Sequence, residues 1–297
     1  MGKASRRRRT TDDTGAPAKR RSAAVPYVSR PFEGLPNETD WVAIREILPA
    51  ATAPVTFTGE HAPEGVTDAT IATVLPMAWP ALHRADGTVL IGTQAGSSTG
   101  DPSRDLAAQL LAGAAAEPGS AVQHVPAATA DTPRLQDLID TTAPFEVTVH
   151  EGFDFWVEGQ ELDDEGRASL DSANESVVPT VRMEALPSAY WVRIGERTYI
   201  RVVLPEDEDT ATDALARMHA AGESSLGEGT RLLGAFRACG LLVPVLEVPA
   251  DTEAAAHEDA LAQFGTRYTA ALASTDQLTA EERRARNGLL SRQVTLR

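Results

Sequence analysis

Four consecutive carboxylates, Glu206-Asp207-Glu208-Asp209, stand between an apolar run and a helix-like run in LPEDEDTATDALARM (204–218). Carboxylates bind hard divalent cations, and they are equally suited to the positive end of a helix. A cation site wants spaced ligands converging from several elements, whereas this run is solid. Asp209 or Thr210 can cap a helix, and Ala211, Ala214, Leu215, Met218 and Ala221 form its apolar face, with Asp213 and Arg217 as an i,i+4 pair. The residues predict a helix start. A Mg²⁺ or Ca²⁺ site on Glu206, Asp207, Glu208 and Asp209 is the chemical alternative.

Leu226-Gly227-Glu228-Gly229-Thr230-Arg231 leads into an apolar pattern, TRLLGAFRAC (230–239), that reads as a helix ended by Gly240. Backbone N–H groups at such a start cradle anions. Gly227, Gly229, Thr230, Arg231 and Arg237 are therefore the candidate anion-binding residues. The loop is neither GxxxxGK nor GxGxxG, because no lysine follows residue 21 and position 232 is Leu.

Other patterns carry less. Gly96-Ser97-Ser98-Thr99-Gly100 fits G-x-S-x-G, and Asp131, Asp137, Asp140 and His150 follow in hydrolase order. A nucleophile elbow needs its helix at once, and Asp101-Pro102 delays it, so the stretch reads as a polar connection. Glu161, Asp163, Glu165 and Gly166 imitate a calcium loop until its last ligand position, which is Ser172. The six histidines (61, 83, 124, 150, 219, 257) are dispersed, and Cys239 reads as a buried, inert thiol. Trp41, Trp79, Trp156, Tyr190 and Trp191 read as core anchors, or else as the lining of a groove between two halves. No cofactor is expected.

The elements that position these groups come from local signals. Asn37 or Thr39 can cap a helix with the stripe Trp41, Ile44, Ile47 and Leu48, stopped by Pro49. Strands are expected at 55–57 and 70–76, and over 78–92 as a hairpin around Asp86-Gly87. Asp101-Pro102 starts a helix with Leu106, Leu110, Leu111 and Ala114 on one side. FEVTV (145–149) and FDFWV (153–157) read as a hairpin, and 161–174 as an acidic helix or loop. LLVPVLEV (241–248) reads as an edge strand because Pro244 cannot donate to a ladder. Residues 252–272 form a helix, and Thr279-Ala280-Glu281-Glu282 is a capping box for another.

The same order recurs. Leu75-Pro76-Met77-Ala78-Trp79 matches Leu186-Pro187-Ser188-Ala189-Tyr190, 111 residues on. GTVLIG (87–92) then matches RTYIRV (197–202), and DLAAQLLAG (105–113) matches DALARMHAA (213–221). The expected fold is α+β: two similar hairpin-plus-helix lobes at 31–125 and 126–250, related by internal duplication. C-terminal helices (251–297) pack on them, and residues 1–30 form a disordered basic tail.

Charge sharpens that division. Residues 1–30 hold nine Lys/Arg against two Asp, a net of +7, while the chain is −16, so residues 31–297 sum to −23. Both lysines are in the tail. The folded part therefore repels phosphate, whereas Arg6, Arg7, Arg8, Arg9, Lys19, Arg20 and Arg21 suit an anionic partner such as RNA or the ribosome. A single cysteine excludes an internal disulfide, the N-terminal arginines have no apolar run after them, and Pro244 breaks the longest aliphatic run. A cytoplasmic protein without a membrane span is expected.

PFEGLPNETDWVAIREILPAATA, VLPMAWPALHRADGTVLIG, LPEDEDTATDALARM, SLGEGTRLLGAFRACGLLVPV and LLSRQVTLR resemble an uncharacterised actinobacterial family, a domain of unknown function, over residues 31–297. Longer members of that family resemble SecA in an N-terminal zinc-binding SEC-C motif, which earns them a preprotein-translocase label. That motif needs several cysteines, and none precedes Cys239 here. The expected function is a non-enzymatic adaptor, with the tail on an anionic partner and the acidic body on a protein. The alternative is an enzyme acting on a small anionic or glycan-like ligand in an inter-lobe cleft, using Glu206–Asp209, Glu228, Arg231 and Arg237.

Overall fold

The computed structural model describes residues 24–95, 99–159 and 161–291. The chain is α+β, built on two sheets. In order it runs α1 (Glu38–Glu46), β1 (Ala51–Thr56), β2 (Asp68–Ala72), β3 (Ala81–His83), β4 (Val89–Gly92), α2 (Pro102–Ala115), β5 (Ser120–Val122) and β6 (Thr148–Val149). There follow α3 (Asp164–Asn174), β7 (Thr180–Arg182), β8 (Ala189–Ile194), β9 (Arg197–Val202), α4 (Glu208–Ala220), β10 (Arg231–Ala238), β11 (Leu241–Val248), α5 (Glu258–Leu272) and α6 (Ala280–Ser291). The first sheet is ordered β5-β3-β4-β2-β1-β6 and the second β10-β11-β9-β8-β7. Among the described residues no helix is long and apolar enough to cross a membrane.

Helix α1 lies between the sheets. Trp41, Val42, Ala43 and Ile44 are all fully buried, so more than one full turn of the helix is enclosed, while its polar residues Glu38, Thr39, Arg45 and Glu46 lie at its two ends. Its core continues into α2, one face of the first sheet, and Tyr190, Val203, Leu241 and Val243 of the second sheet region. The opposite face of the second sheet packs on α4, α5 and Leu289 of α6. The outer face of the first sheet is covered by Phe155 and Trp156, with Phe153 and Leu170 of α3 beside them.

Several local signals do what they promised. Asp101 caps α2 by accepting from the Ser103 N–H at 3.2 Å. Thr279 and Glu282 close the capping box before α6 at 2.6 and 3.2 Å. The hairpin around Asp86-Gly87 joins β3 to β4. In the matched segments Met77 and Ser188 both take left-handed backbone, with φ of 54° and 49°. A hairpin and then a helix follow each of them, but β4 is next to parallel β2 whereas β9 is next to antiparallel β11.

Four local readings are overturned. Residues 230–239 are not a helix but β10, a strand along almost the whole of β11. Cys239 and Gly240 form the two-residue turn, with φ of 47° and 82°, the left-handed pair that matches hairpin twist. β11 is accordingly internal, not an edge. Pro244 is tolerated because it pairs with Ala235 on β10, while the ladder to β9 begins only at Val245. Residues 153–157 are a 3₁₀ turn rather than a strand, since Phe153 stacks on Trp156 at 4.3 Å and the Trp156 Nε1–H donates to Val74 O. Finally, Asn37 caps α1 without a side-chain bond to it; its Oδ1 accepts from Phe145 N–H instead.

The body begins before residue 31. Val28 N–H donates to Gly100 O at 2.9 Å, and Arg30 pairs with Glu38 at 2.7 Å and donates to Pro205 O. Likewise, Thr148 and Val149 pair with β1, so the change of sheet falls well after residue 125.

Candidate functional site

The acidic run is a helix start, capped by Asp207, two residues before Asp209. Asp207 accepts from Thr210 N–H at 3.0 Å and from the Thr210 hydroxyl, and those bonds hold its carboxyl below the usual range. The other three acids diverge. Glu206 accepts from the Tyr268 hydroxyl at 2.7 Å, Glu208 pairs with Arg237, and Asp209 pairs with Arg286 at 2.6 Å. Asp213 also goes to Arg286, at 2.6 Å, rather than to Arg217, whose guanidinium donates to Asp276 O. Among the described residues no group of three or more His, Cys, Asp and Glu is placed to hold a metal.

The glycine loop opens a strand instead of a helix, so no helix dipole stands behind it. Gly227 and Gly229 take φ of 124° and 74°, and Thr230 closes the turn by donating to Gly227 O at 2.8 Å. Even so, Gly229, Thr230 and Arg231 border a surface pocket of about 330 Å³, together with Arg197, Thr198 and Glu247. Arg231 reaches Glu247 at 2.5 Å, and Arg197 pairs with the same carboxylate. Burial alone raises the Glu247 pKa, but the two guanidiniums outweigh it and hold the carboxyl below its ordinary value. Two cations thus share one anion. Thr198 is fully buried, and its hydroxyl has no hydrogen-bond partner. Arg237 is elsewhere, on Glu208, so the groups required for one catalytic cleft do not converge.

The densest polar group was missed. Asp40 on α1 is only 2% exposed, and it accepts from Ser188 Oγ at 2.6 Å, the Tyr190 hydroxyl at 3.0 Å and Arg182 at 2.9 Å. Ser188 Oγ also meets Thr39 Oγ1 at 2.7 Å. Burial first, and then the Asp40 charge, push the Tyr190 pKa far up, so the phenol stays a donor. Arg182, Tyr190 and Arg201 lie opposite one another across β7, β8 and β9, on the face toward α1. Arg201 has a buried Nε without a partner, and burial pushes its guanidinium down to about 10. No sequence signal marks these residues, because their neighbours are 142 to 150 positions away.

The remaining candidates are separate. His83, His150, His219 and His257 each bond a different group, such as Thr52 at 2.8 Å for His150. Cys239 lies in the β10–β11 turn and is half-buried rather than buried; desolvation and the neighbouring Glu46 push its thiol up to about 12. Asp163 caps α3 by accepting from Gly166 N–H at 2.8 Å, so this acid serves a helix start. Trp41, Tyr190 and Trp191 are core, while Trp79 and Trp156 cover the outer face of the first sheet. Ser97 and Ser98, and all seven cations of the tail from Arg6 to Arg21, lie outside the described residues.

No curated protein and no solved structure matches the chain. A family model does match, from residue 31 to residue 297, and the chain belongs to that family of unknown function, DUF5926.

Proposed function

We propose that this chain is a non-enzymatic adaptor of the cytoplasm whose basic N-terminal segment engages an anionic partner, RNA or the ribosome, while its acidic body engages a protein. One observation carries the reading: the charges are segregated, and the body consumes its own cations. Ten of the sixteen described arginines after residue 31 stand within 4.0 Å of a carboxylate, and residues 31–297 sum to −23. The lysines and the arginine block of residues 1–21 have no such acidic company in sequence beyond Asp12 and Asp13. Phosphate contacts of that kind are sequence-independent and salt-sensitive. Within the body the acidic run serves architecture: Asp207 caps α4, while Glu206, Glu208 and Asp209 tie it to α5, β10 and α6.

The test is native purification of the full chain beside a variant with Arg6, Arg7, Arg8, Arg9, Lys19, Arg20 and Arg21 replaced by Ala. RNA that co-elutes with the first and is absent from the second supports the adaptor. Equal RNA in both, or none in either, contradicts it.

A second reading, a protein that takes a small anionic ligand between the two sheets, has Arg201 in its favour. A guanidinium with an unpartnered, buried nitrogen is costly unless something compensates it. Soaking with inorganic phosphate should then protect Arg201 from phenylglyoxal.

A further inference from the structure

A small pocket lies beside α2, away from the groups above. It measures about 140 Å³, and its walls include Ala78, Asp105, Gln109, Gln123 and His124. Asp105 and Gln109 are one helical turn apart and so share a face of α2. Gln109 is 5% exposed; its Nε2 donates to Ala95 O at 3.2 Å, which fixes the amide orientation and leaves Oε1 as a buried acceptor with no partner. Asp105 is 8% exposed, and its two oxygens accept one bond each from Thr99, from the N–H at 3.0 Å and the hydroxyl at 2.7 Å. Each oxygen has lone-pair capacity left over. No cation pairs with this carboxylate among the described residues. The start of α2 offsets part of the charge through its dipole, but not the missing counter-ion. One lining residue is also strained: Ala78 takes left-handed backbone, at φ 53°, as does the exposed Met77 before it, at φ 54°. Such strain persists only where the surroundings hold it, and it gathers at binding sites.

We propose that this pocket binds an organic cation, a primary ammonium or guanidinium head, paired with Asp105 and accepted by Gln109 Oε1. An anion is repelled by Asp105. A neutral donor satisfies Gln109 but leaves the charge unpaired, and a divalent metal needs more oxygen ligands than two. The volume admits a head group of a few heavy atoms, so a longer molecule inserts only its end.

The cation has two possible sources, a free amine or this chain's own Lys19, Arg20 or Arg21. The chain enters the body at Val28, whose N–H bonds Gly100 O, next to Thr99. Tyr27 lies six positions after Arg21, roughly 20 Å when fully extended.

The experiment follows the Gln109 side-chain amide by ¹⁵N–¹H NMR while propylammonium chloride is added to the full chain, with sodium propionate as the control. The signal is assigned by its loss in Gln109→Met. A saturable shift with propylammonium alone, weakened about tenfold or more by Asp105→Asn, supports the proposal. Calorimetry on Gln109→Met, expected to bind severalfold more weakly, gives a second readout should Asp105→Asn not fold. A shift seen only when Lys19, Arg20 and Arg21 are all Gln assigns the native cation to the chain itself, and a shift in the wild type assigns it to a free amine. No saturable shift in either protein, an equal response to propionate, or unchanged affinity in the substituted proteins overturns it.

Discussion

Replacing Asp40 with alanine should loosen the seam between α1 and the second sheet more than any other single polar change. Three donors reach that carboxylate, at 2.6, 2.9 and 3.0 Å, and two of them, Ser188 and Tyr190, are themselves buried. Hydrogen bonds to a charged group contribute about 1.5–3 kcal/mol apiece, but they are not additive, and Arg182 keeps some access to water. Removing one partner of a buried pair costs about 3–5 kcal/mol, so about 4 kcal/mol is expected for Asp40→Ala. Asp40→Asn keeps the shape and one acceptor, and about 1–2 kcal/mol is expected. Against a typical total of about 5–15 kcal/mol the alanine variant is severely weakened. Urea unfolding followed by tryptophan fluorescence measures both. Pairing Asp40→Ala with Ser188→Ala should show coupling of at least about 1 kcal/mol. An Asp40→Ala protein within about 1 kcal/mol of the wild type would refute the idea that this knot joins the layers.

Acid should weaken the fold in a defined window. Asp86 is held at about 2 by Arg84 and then Thr88, and Thr67, Thr142 and Thr210 hold Asp68, Asp140 and Asp207 low. Folded values below unfolded ones give stability that is present above about pH 4 and lost as pH falls toward 2, so urea midpoints should drop steeply over that interval; His150 and His257, which burial holds low, add a shallower decline as pH falls below about 6.5. Cys239, pushed up to about 12 by burial, should resist iodoacetamide at pH 8 and react once urea unfolds the chain; fast alkylation of the native protein contradicts the burial. Gly240→Ala should cost more than about 2 kcal/mol, because φ is 82° and a new Cβ runs into the Ser29 carbonyl; Gly195→Ala, with φ of 58° and open space, should cost about 1–2 kcal/mol.

What the residues disclosed by themselves was whatever is decided within a turn or two of chain. The α1 stripe, the Asp101 cap, the Asp86-Gly87 hairpin and the Thr279 box are of that kind. TRLLGAFRAC shows the limit. Its apolar spacing fits a helix, yet the neighbouring β11 offers an antiparallel partner over eight residues, and pairing overrides the local pattern. FDFWV failed for a related reason, since its rings serve the outer face of the first sheet and not a ladder. At the candidate sites the carboxylates of 206–209 were legible as a helix start because capping is local. Arg197 and Glu247 beside Arg231, and Asp40 beneath Tyr190, were not, because only tertiary pairing brings them together.

The adaptor reading rests on residues 1–21 as a polycation held beside an acidic body, and its salt dependence is the most direct test. Affinity of the full chain for a single-stranded RNA is measured across salt concentrations. If the seven named cations each release a counter-ion, the log–log slope is about −5, and it falls toward zero when they are replaced by alanine. A slope near zero for the wild type, or the same slope for both proteins, contradicts the account.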